Sequence, residues 1–171
     1  MARMVPEAVQ EDARAAASLA STVVARAGVP GLDGAGLLDE TLPWVVRVEV
    51  ARAVGASAGC SAGLEVFGGS PVLTAAVLCG AAETVAETGM AYARDRVVFG
   101  RPLARMPVQR YAFASVAASV EAAVALVRRV ACSLDAGAGG GLDEDAVLPV
   151  ALDDTVTVPQ YAESSSSRWS T

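Results

Sequence analysis

The sequence predicts an all-α protein, a bundle of about four helices followed by a flexible acidic tail. Three observations favour this class. Apolar residues recur at spacings of three and four over long stretches, alanine is frequent in those stretches, and proline and glycine separate them. Because small side chains let helix axes approach closely, such helices are typical of bundles. The 171 residues suit one domain, and a hydrophobic content of 53% excludes a largely disordered chain.

The first predicted helix covers residues 6–27. Pro6 suits a first helical turn, and apolar residues follow it at helical spacing. Gly28 and Pro30 end the pattern. Because the next segment, 29–36, contains three glycines and one proline, we expect a loop there.

The second predicted helix follows Asp39 or Thr41, either of which can serve as its N-cap. Apolar and charged residues alternate over 46–50, a pattern that by itself also fits a strand. The alanines that come next favour a helix. The small residues of 55–63 fit either a tightly packed helix or a break. We expect Trp44 to anchor this helix in the core.

Two long amphipathic helices are predicted in the second half of the chain. The third covers 71–98, with Ser70 as its N-cap and Pro71 in its first turn, and the fourth covers 108–134. The predicted core faces are Leu78, Ala82, Val85, Gly89, Tyr92 and Arg96 on the third helix, and Phe113, Ala117, Val120, Val124, Val127 and Ala131 on the fourth.

The predicted helical domain covers residues 1–141, and the predicted tail covers 142–171. The formal charge of −6 comes from residues 135–171, which hold seven acids and one arginine. Such a run is typical of a solvated segment. The alternative is a tail that docks on a partner or binds a metal. Because the acids lack EF-hand spacing, we expect no metal site.

The composition excludes several classes of protein. The absence of histidine excludes a Ser-His-Asp or Cys-His catalytic unit and His-ligated zinc. The chain has no surplus of basic residues, which argues against a nucleic-acid partner. The three cysteines, without a CxxC pair, predict reduced, buried thiols in a cytoplasmic protein. We expect no membrane span, since no uninterrupted apolar run reaches about 18 residues. The sequence contains no Lys, Ile or Asn. Because the codons of these residues are rich in A and T, their absence indicates a GC-rich, actinobacterial genome.

Two segments carry a resemblance to a known family. The segment 92–103, YARDRVVFGRPL, resembles the YAxxRxxFGxPL turn between the first two long helices in the C-terminal domain of the acyl-CoA dehydrogenase superfamily. More weakly, 49–53, EVARA, resembles the EExAR helix of that superfamily's N-terminal helical domain. The family places a β-domain between these two parts, whereas here a segment of about 20 residues, 57–77, separates them. The resemblance therefore implies a helical domain like the family's C-terminal one, without the sheet that covers the flavin.

The resemblance also implies which residues would contact a cofactor. Arg96 and Phe99 match the family's flavin-contacting positions. The resemblance therefore implies that these two residues contact the cofactor if a flavin or a coenzyme A phosphate is bound. The family's glutamine falls on Pro107, which donates no hydrogen bond, and no carboxylate stands near Ser70, where some members carry the base. We expect no cofactor in this chain alone, and FAD only within a heteromeric complex. A surface ion pair is the alternative for Arg96.

Three side chains are candidates for catalysis. Glu121, if buried, would have a raised pKa and could act as an acid or base; the alternative is an ion pair with Arg128 or with a residue of another helix. Tyr92 and Tyr111 could donate hydrogen bonds to a carbonyl, with core packing as the alternative. Five arginines around the turn could hold a phosphate or be solvated, namely Arg94, Arg96, Arg101, Arg105 and Arg110.

These features lead to three hypotheses. The first is a flavin-independent, non-redox cyclase, isomerase or lyase that binds an acyl-thioester or polyketide-type substrate in natural product biosynthesis, since ordering such a chain removes much of the barrier. The second is an accessory subunit of a heteromeric FAD-dependent acyl-CoA dehydrogenase. The third is a non-catalytic helical module. The expected partners are a hydrophobic acyl or polyketide small molecule and either a second copy of this chain or an acyl-CoA dehydrogenase-like chain.

Overall fold

A computed structural model of the chain describes residues 7–137, and these are almost entirely helical. The helices are α1 (Glu7–Ala27), α2 (Gly31–Gly34), α3 (Trp44–Phe67), α4 (Pro71–Asp95) and α5 (Pro107–Asp135). Between α4 and α5, β1 (Val97–Val98) pairs antiparallel with β2 (Arg101–Pro102), and a 3-10 turn, η1 (Leu103–Arg105), follows. The predicted all-α bundle with four long helices is confirmed. The predicted boundary at residue 141 and the tail lie outside the described residues.

Helix α1 ends where the sequence predicted, at a glycine in the left-handed region. Gly28 has φ +70°, a backbone conformation that favours glycine. The segment 29–36 is less open than expected, because it contains the short helix α2. Leu32 in this helix is fully buried. The predicted loop is therefore wrong in part, because one leucine among its glycines reaches the core.

The first turn of α3 receives its hydrogen-bond acceptor from the other end of the described chain. Asp135, the last residue of α5, accepts hydrogen bonds from the backbone N–H groups of Trp44 and Val45, at 2.6 and 3.0 Å. Asp39 instead accepts from the backbone and hydroxyl of Thr41 in a local turn. The predicted N-cap is therefore wrong: a carboxylate 90 residues away in sequence satisfies the free N–H groups.

This contact predicts a measurable loss of stability when the carboxylate of Asp135 is removed. We expect Asp135→Ala to lower the free energy of unfolding by about 1 kcal/mol, as for other helix-capping acceptors. Asp135→Asn keeps one acceptor oxygen and should therefore lose less stability than Asp135→Ala. Urea unfolding of the three proteins measures this difference. Equal stability of Asp135→Ala and the unsubstituted chain would contradict the capping role.

Helix α3 lies at the centre of the bundle and packs against α1, α4 and α5. It is therefore buried on several sides, and the alternating segment 46–50 is helical rather than extended. Its valines contact different neighbours instead of sharing one face of a sheet. Trp44 is half-buried against the core, with the guanidinium of Arg47 4.5 Å from its ring centre.

Helices α3 and α4 approach until their backbones touch. A Cβ atom placed on Gly55 would overlap the carbonyl of Val77, and one placed on Gly80 would overlap the carbonyl of Arg52. Farther along α3, Gly59 has φ 84° and ψ 173°, which kinks the helix. The small-residue segment 55–63 is thus both a tightly packed helix and a break, the two alternatives that the sequence left open.

The predicted core face of α4 is wrong. None of its six residues is buried: Leu78, Ala82 and Gly89 are half-buried, and Val85, Tyr92 and Arg96 are exposed. Buried residues of this helix are concentrated in its first half, over 72–80, whereas Val85 is 71% and Tyr92 62% exposed. The predicted face of α5 holds from Val120 onward, but Ala117 is exposed. The distal halves of both helices and the turn between them, residues 85–119, form what we call the hairpin arm.

Two helices in the described part of the chain, α4 and α5, are long and apolar enough to cross a membrane by the criteria of length and composition. Their mean hydropathies over the best window are 1.2 and 1.4. Core helices of bundles meet the same criteria, so this finding assigns no location by itself. The absence of a membrane span stays a prediction from the sequence.

Candidate functional site

The end of the hairpin arm, residues 92–111, is a structured turn that we call the hairpin tip. The pairing of β1 with β2 is closed by Phe99 and Gly100, which have φ angles of 51° and 76°. The backbone N–H of Leu103 donates to the carbonyl of Arg96 at 2.7 Å. These contacts hold Phe99 outward, with 93% of its surface exposed.

The two residues that the resemblance assigned to a cofactor both lie on this tip. Arg96 is exposed, and it forms no ion pair with a carboxylate of residues 11–137. Its predicted alternative, a surface ion pair, is therefore not found in this part of the chain. All five arginines of the predicted cluster are exposed. The tip combines positive charge with an uncovered aromatic ring, which suits an anionic aromatic ligand.

The three candidate catalytic residues do not converge on a cavity. Tyr92 and Tyr111 lie on the outside of the hairpin arm, 62% and 79% exposed, so the alternative of core packing is wrong. Glu121 is exposed, because the buried stripe of α5 passes beside it. It is ten residues from Tyr111 on the same helix, or about 15 Å along the axis. Burial of Glu121 was the condition for its role as an acid or base, and that condition is not met.

A cluster of charges that the sequence did not predict lies inside the bundle. Glu49 is 6% exposed, and Arg128 donates from Nε to its Oε1 at 2.6 Å. Arg52 donates from Nη2 and Nε to the Oε2 of Glu49, at 2.7 and 3.1 Å, and from Nη1 to Glu83 at 2.5 Å. The predicted pair between Arg128 and Glu121 is therefore wrong. A charged residue amid the valines of 46–50 was the available signal.

These charges form one side of a cleft between α1, α3 and α5, which we call the ion-pair cleft. Its volume is about 500 Å³. Its polar lining consists of Arg14, Glu49, Arg52 and Arg128, and its other lining residues are Ala13, Ala17, Val45 and Cys132. A cleft of this size with one apolar and one charged side is typical of small-molecule sites.

The arginines keep Glu49 ionised. Burial opposes the charged form, but the hydrogen bonds and charges of Arg128 and Arg52 outweigh it, so the pKa of Glu49 lies below its usual value. The same contacts raise the pKa of Arg52 against the effect of burial. The cluster is therefore a set of fixed charges at neutral pH, which suits binding and not proton transfer.

Two of the three cysteines, Cys79 and Cys132, are poor nucleophiles. Burial, with a smaller contribution from Glu83, raises the pKa of Cys79 to about 11. Burial also raises the pKa of Cys132, with Asp135 adding to it. Cys79 is buried as predicted, whereas Cys60 and Cys132 are half-buried. Among the described side chains, those of residues 11–137, no group of three from His, Cys, Asp or Glu could hold a metal ion.

The fold and the hairpin tip define a helical domain that exposes an arginine-rich turn. The model of the acyl-CoA dehydrogenase C-terminal domain matches residues 57–148. The chain therefore belongs to the acyl-CoA dehydrogenase family, which confirms the resemblance seen in the sequence. The match begins two residues before the kink at Gly59 and includes α4, the hairpin tip and α5. No curated protein and no solved structure matches the chain.

Proposed function

We propose that this chain is an accessory helical subunit of a flavin-dependent assembly of the acyl-CoA dehydrogenase type. Its hairpin tip docks on an acyl-CoA dehydrogenase-like chain and brings Arg96 and Phe99 to the FAD which that chain holds. The supporting observation is the exposure of Phe99 on a structured turn. A large aromatic ring in water adds nothing to the stability of its own bundle, whereas it is typical of a contact surface.

The charge of the hairpin tip supports an anionic ligand. Residues 94–110 contain five arginines and one acid, Asp95, a surplus of four positive charges. Guanidinium groups bind phosphate oxygens in pairs, and a pyrophosphate offers several such oxygens. The fit to FAD is partial, because Pro107 stands at the family's glutamine position and begins α5. This chain would therefore supply charge and aromatic surface to a flavin held mainly elsewhere, and the flavin would supply the redox chemistry.

The sides of the hairpin arm support a protein partner. The arm and its tip expose several large apolar side chains, each more than half exposed. These are Val85, Tyr92, Val97, Val108 and Tyr111. Exposed apolar side chains on two adjacent helices are typical of a surface that another chain covers.

The non-redox cyclase, isomerase or lyase has less support from the geometry. Its three candidate residues, Tyr92, Tyr111 and Glu121, are all exposed, and none of them lines the ion-pair cleft. A polyketide-type or acyl-thioester substrate, a cytoplasmic location and assembly into homo-oligomers stay predictions from the sequence.

Co-expression with acyl-CoA dehydrogenase chains of the same genome, one at a time, tests the accessory function. We expect one of these chains to elute with ours as a complex of defined mass that carries flavin absorbance. Arg96→Gln and Phe99→Ala should each weaken the complex about tenfold or more, since each removes a contact at its centre. Light scattering during chromatography gives the mass, and titration of the separated chains gives the affinity.

Arg129→Gln is the matched control, because Arg129 is exposed on α5 outside the hairpin arm. Its complex should form as well as that of the unsubstituted chain. The proposal fails when the chain elutes apart from every such flavoprotein. It also fails when a complex forms whose affinity is the same with Arg96→Gln and Phe99→Ala.

A further inference from the structure

We propose that the ion-pair cleft binds an organic carboxylate with an apolar body, at a site independent of the hairpin tip. The cleft lies between α1, α3 and α5, whereas the tip lies at the far ends of α4 and α5. Neither Arg96 nor Phe99 lines the cleft. The inference therefore does not depend on the proposed association with a flavoprotein.

The groups of the ion-pair cleft that remain free to form hydrogen bonds are donors. Both carboxylate oxygens of Glu49 already accept from arginines. Arg128 uses Nε for this bond, and its Nη1 and Nη2 groups bond to no acceptor of residues 11–137, the range whose side chains the structure describes. The Arg128 side chain is 49% exposed, so these two groups are accessible. Their parallel N–H bonds match the two oxygens of a carboxylate.

The charge balance of the cleft selects a monoanion. Its lining holds three arginines, Arg14, Arg52 and Arg128, and one carboxylate, Glu49. Arg52 also bonds to Glu83 behind the cleft. Three arginines against Glu49 and Glu83 leave a surplus of one positive charge around Arg128. The carboxylate of Asp135 lies at the other end of the cleft, two turns of α5 beyond Arg128, and is held by the backbone N–H groups of Trp44 and Val45. One bound carboxylate neutralises this surplus, which makes the site complementary to a singly charged ligand.

The remaining wall of the cleft selects an apolar body. Ala13 and Ala17 come from α1, Val45 from α3, and Cys132 from α5. These side chains are small, so they leave the cleft open, and the weakly hydrogen-bonding thiol of Cys132 is the single polar group among the four. A volume of about 500 Å³ is within the range for small ligands. A short or medium aliphatic chain can bury its surface there with its head group on Arg128.

Isothermal titration calorimetry with octanoate tests the site. Octanamide has the same apolar body without charge, and inorganic phosphate has charge without an apolar body. We expect octanoate to bind about tenfold or more tightly than either, because each comparison removes one of the two contacts. Equal binding of octanoate and octanamide, equal binding of octanoate and phosphate, or no binding of octanoate overturns the proposal.

Variants assign the binding to the cleft. Arg128→Gln should weaken octanoate about tenfold, and Arg14→Gln should weaken it while leaving the Glu49 contacts in place. Ala17→Leu fills the apolar wall and should weaken it without a change of charge. Arg129→Gln, next to Arg128 but outside the cleft, should bind octanoate within about twofold of the unsubstituted chain, as should Arg96→Gln. Unchanged affinity in both Arg14→Gln and Ala17→Leu would place the ligand elsewhere and refute the assignment.

Discussion

Gly80→Ala should lower the free energy of unfolding by about 3 kcal/mol, because a methyl group there has no room. The added Cβ would overlap the carbonyl of Arg52 on α3. Backbone atoms cannot rotate away as a flexible side chain can, so the two helices must separate. Separation loses contacts along the crossing between α3 and α4, which is the centre of the bundle.

Gly89→Ala is the matched control, because it makes the same change in the same helix. A Cβ at Gly89 would lie 3.5 Å from Cε1 of Phe113, an ordinary contact. We expect the free energy of unfolding of this variant to rise by about 0.5–1 kcal/mol, since alanine has a higher helix propensity than glycine. Urea unfolding measures the change in the free energy of unfolding for both variants, provided that its dependence on urea concentration has the same slope as in the unsubstituted chain. If Gly80→Ala and Gly89→Ala shift the midpoint in the same direction, the close approach of α3 and α4 is wrong.

Glu49→Ala should lower the free energy of unfolding by about 2–3 kcal/mol, the second largest effect expected here. The substitution leaves Arg52 and Arg128 without their shared acceptor. Their side chains are 25% and 49% exposed, so water compensates them in part, and the loss is smaller than for a fully buried charge. Glu121→Ala, which removes an exposed glutamate from α5, should change stability by less than about 0.5 kcal/mol.

The same carboxylate should make stability depend on pH. The folded chain holds the pKa of Glu49 below its ordinary value of 4.5. Its contribution is therefore present above pH 4.5 and is lost as the pH falls through the lower, folded value. The stability difference between the unsubstituted chain and Glu49→Gln should accordingly shrink on acidification below about pH 4.5. A difference that stays constant down to acid unfolding would refute the ion cluster.

The positions of the helices followed from local features of the sequence. A glycine follows α1, and a proline begins α4 and α5, with helical spacing of apolar residues inside each helix. The predicted end of α4 at residue 98 is wrong: the helix ends at Asp95, because Val97–Val98 pair with the chain after the turn as β1. The motif in segment 92–103 indicated the family, because a turn between two long helices requires particular residues at fixed offsets. Each of these features lies within a few residues of the element it predicts.

The buried faces and the charged contacts did not follow in the same way. Val85 and Tyr92 have the spacing of a core stripe, but α3 packs only against the first half of α4, so they stay exposed. Glu121 and Arg128 share one face of α5, but they lie two turns apart, and Arg128 bonds to Glu49 on α3. Periodicity shows which residues share a face and not how far a neighbouring helix covers it.

The sequence by itself thus determined the four long helices, the position of the turn between the last two, and membership of the acyl-CoA dehydrogenase family. Only the tertiary structure decided that Asp135 caps α3, that Glu49 is held by two arginines, and that an open cleft lies beside them. The physical reason is distance along the chain. Turns and helical repeats arise from neighbouring residues. The contacts of Asp135 with α3 and of Arg128 with Glu49 instead join residues about 80 to 90 positions apart and exist only once the bundle has packed.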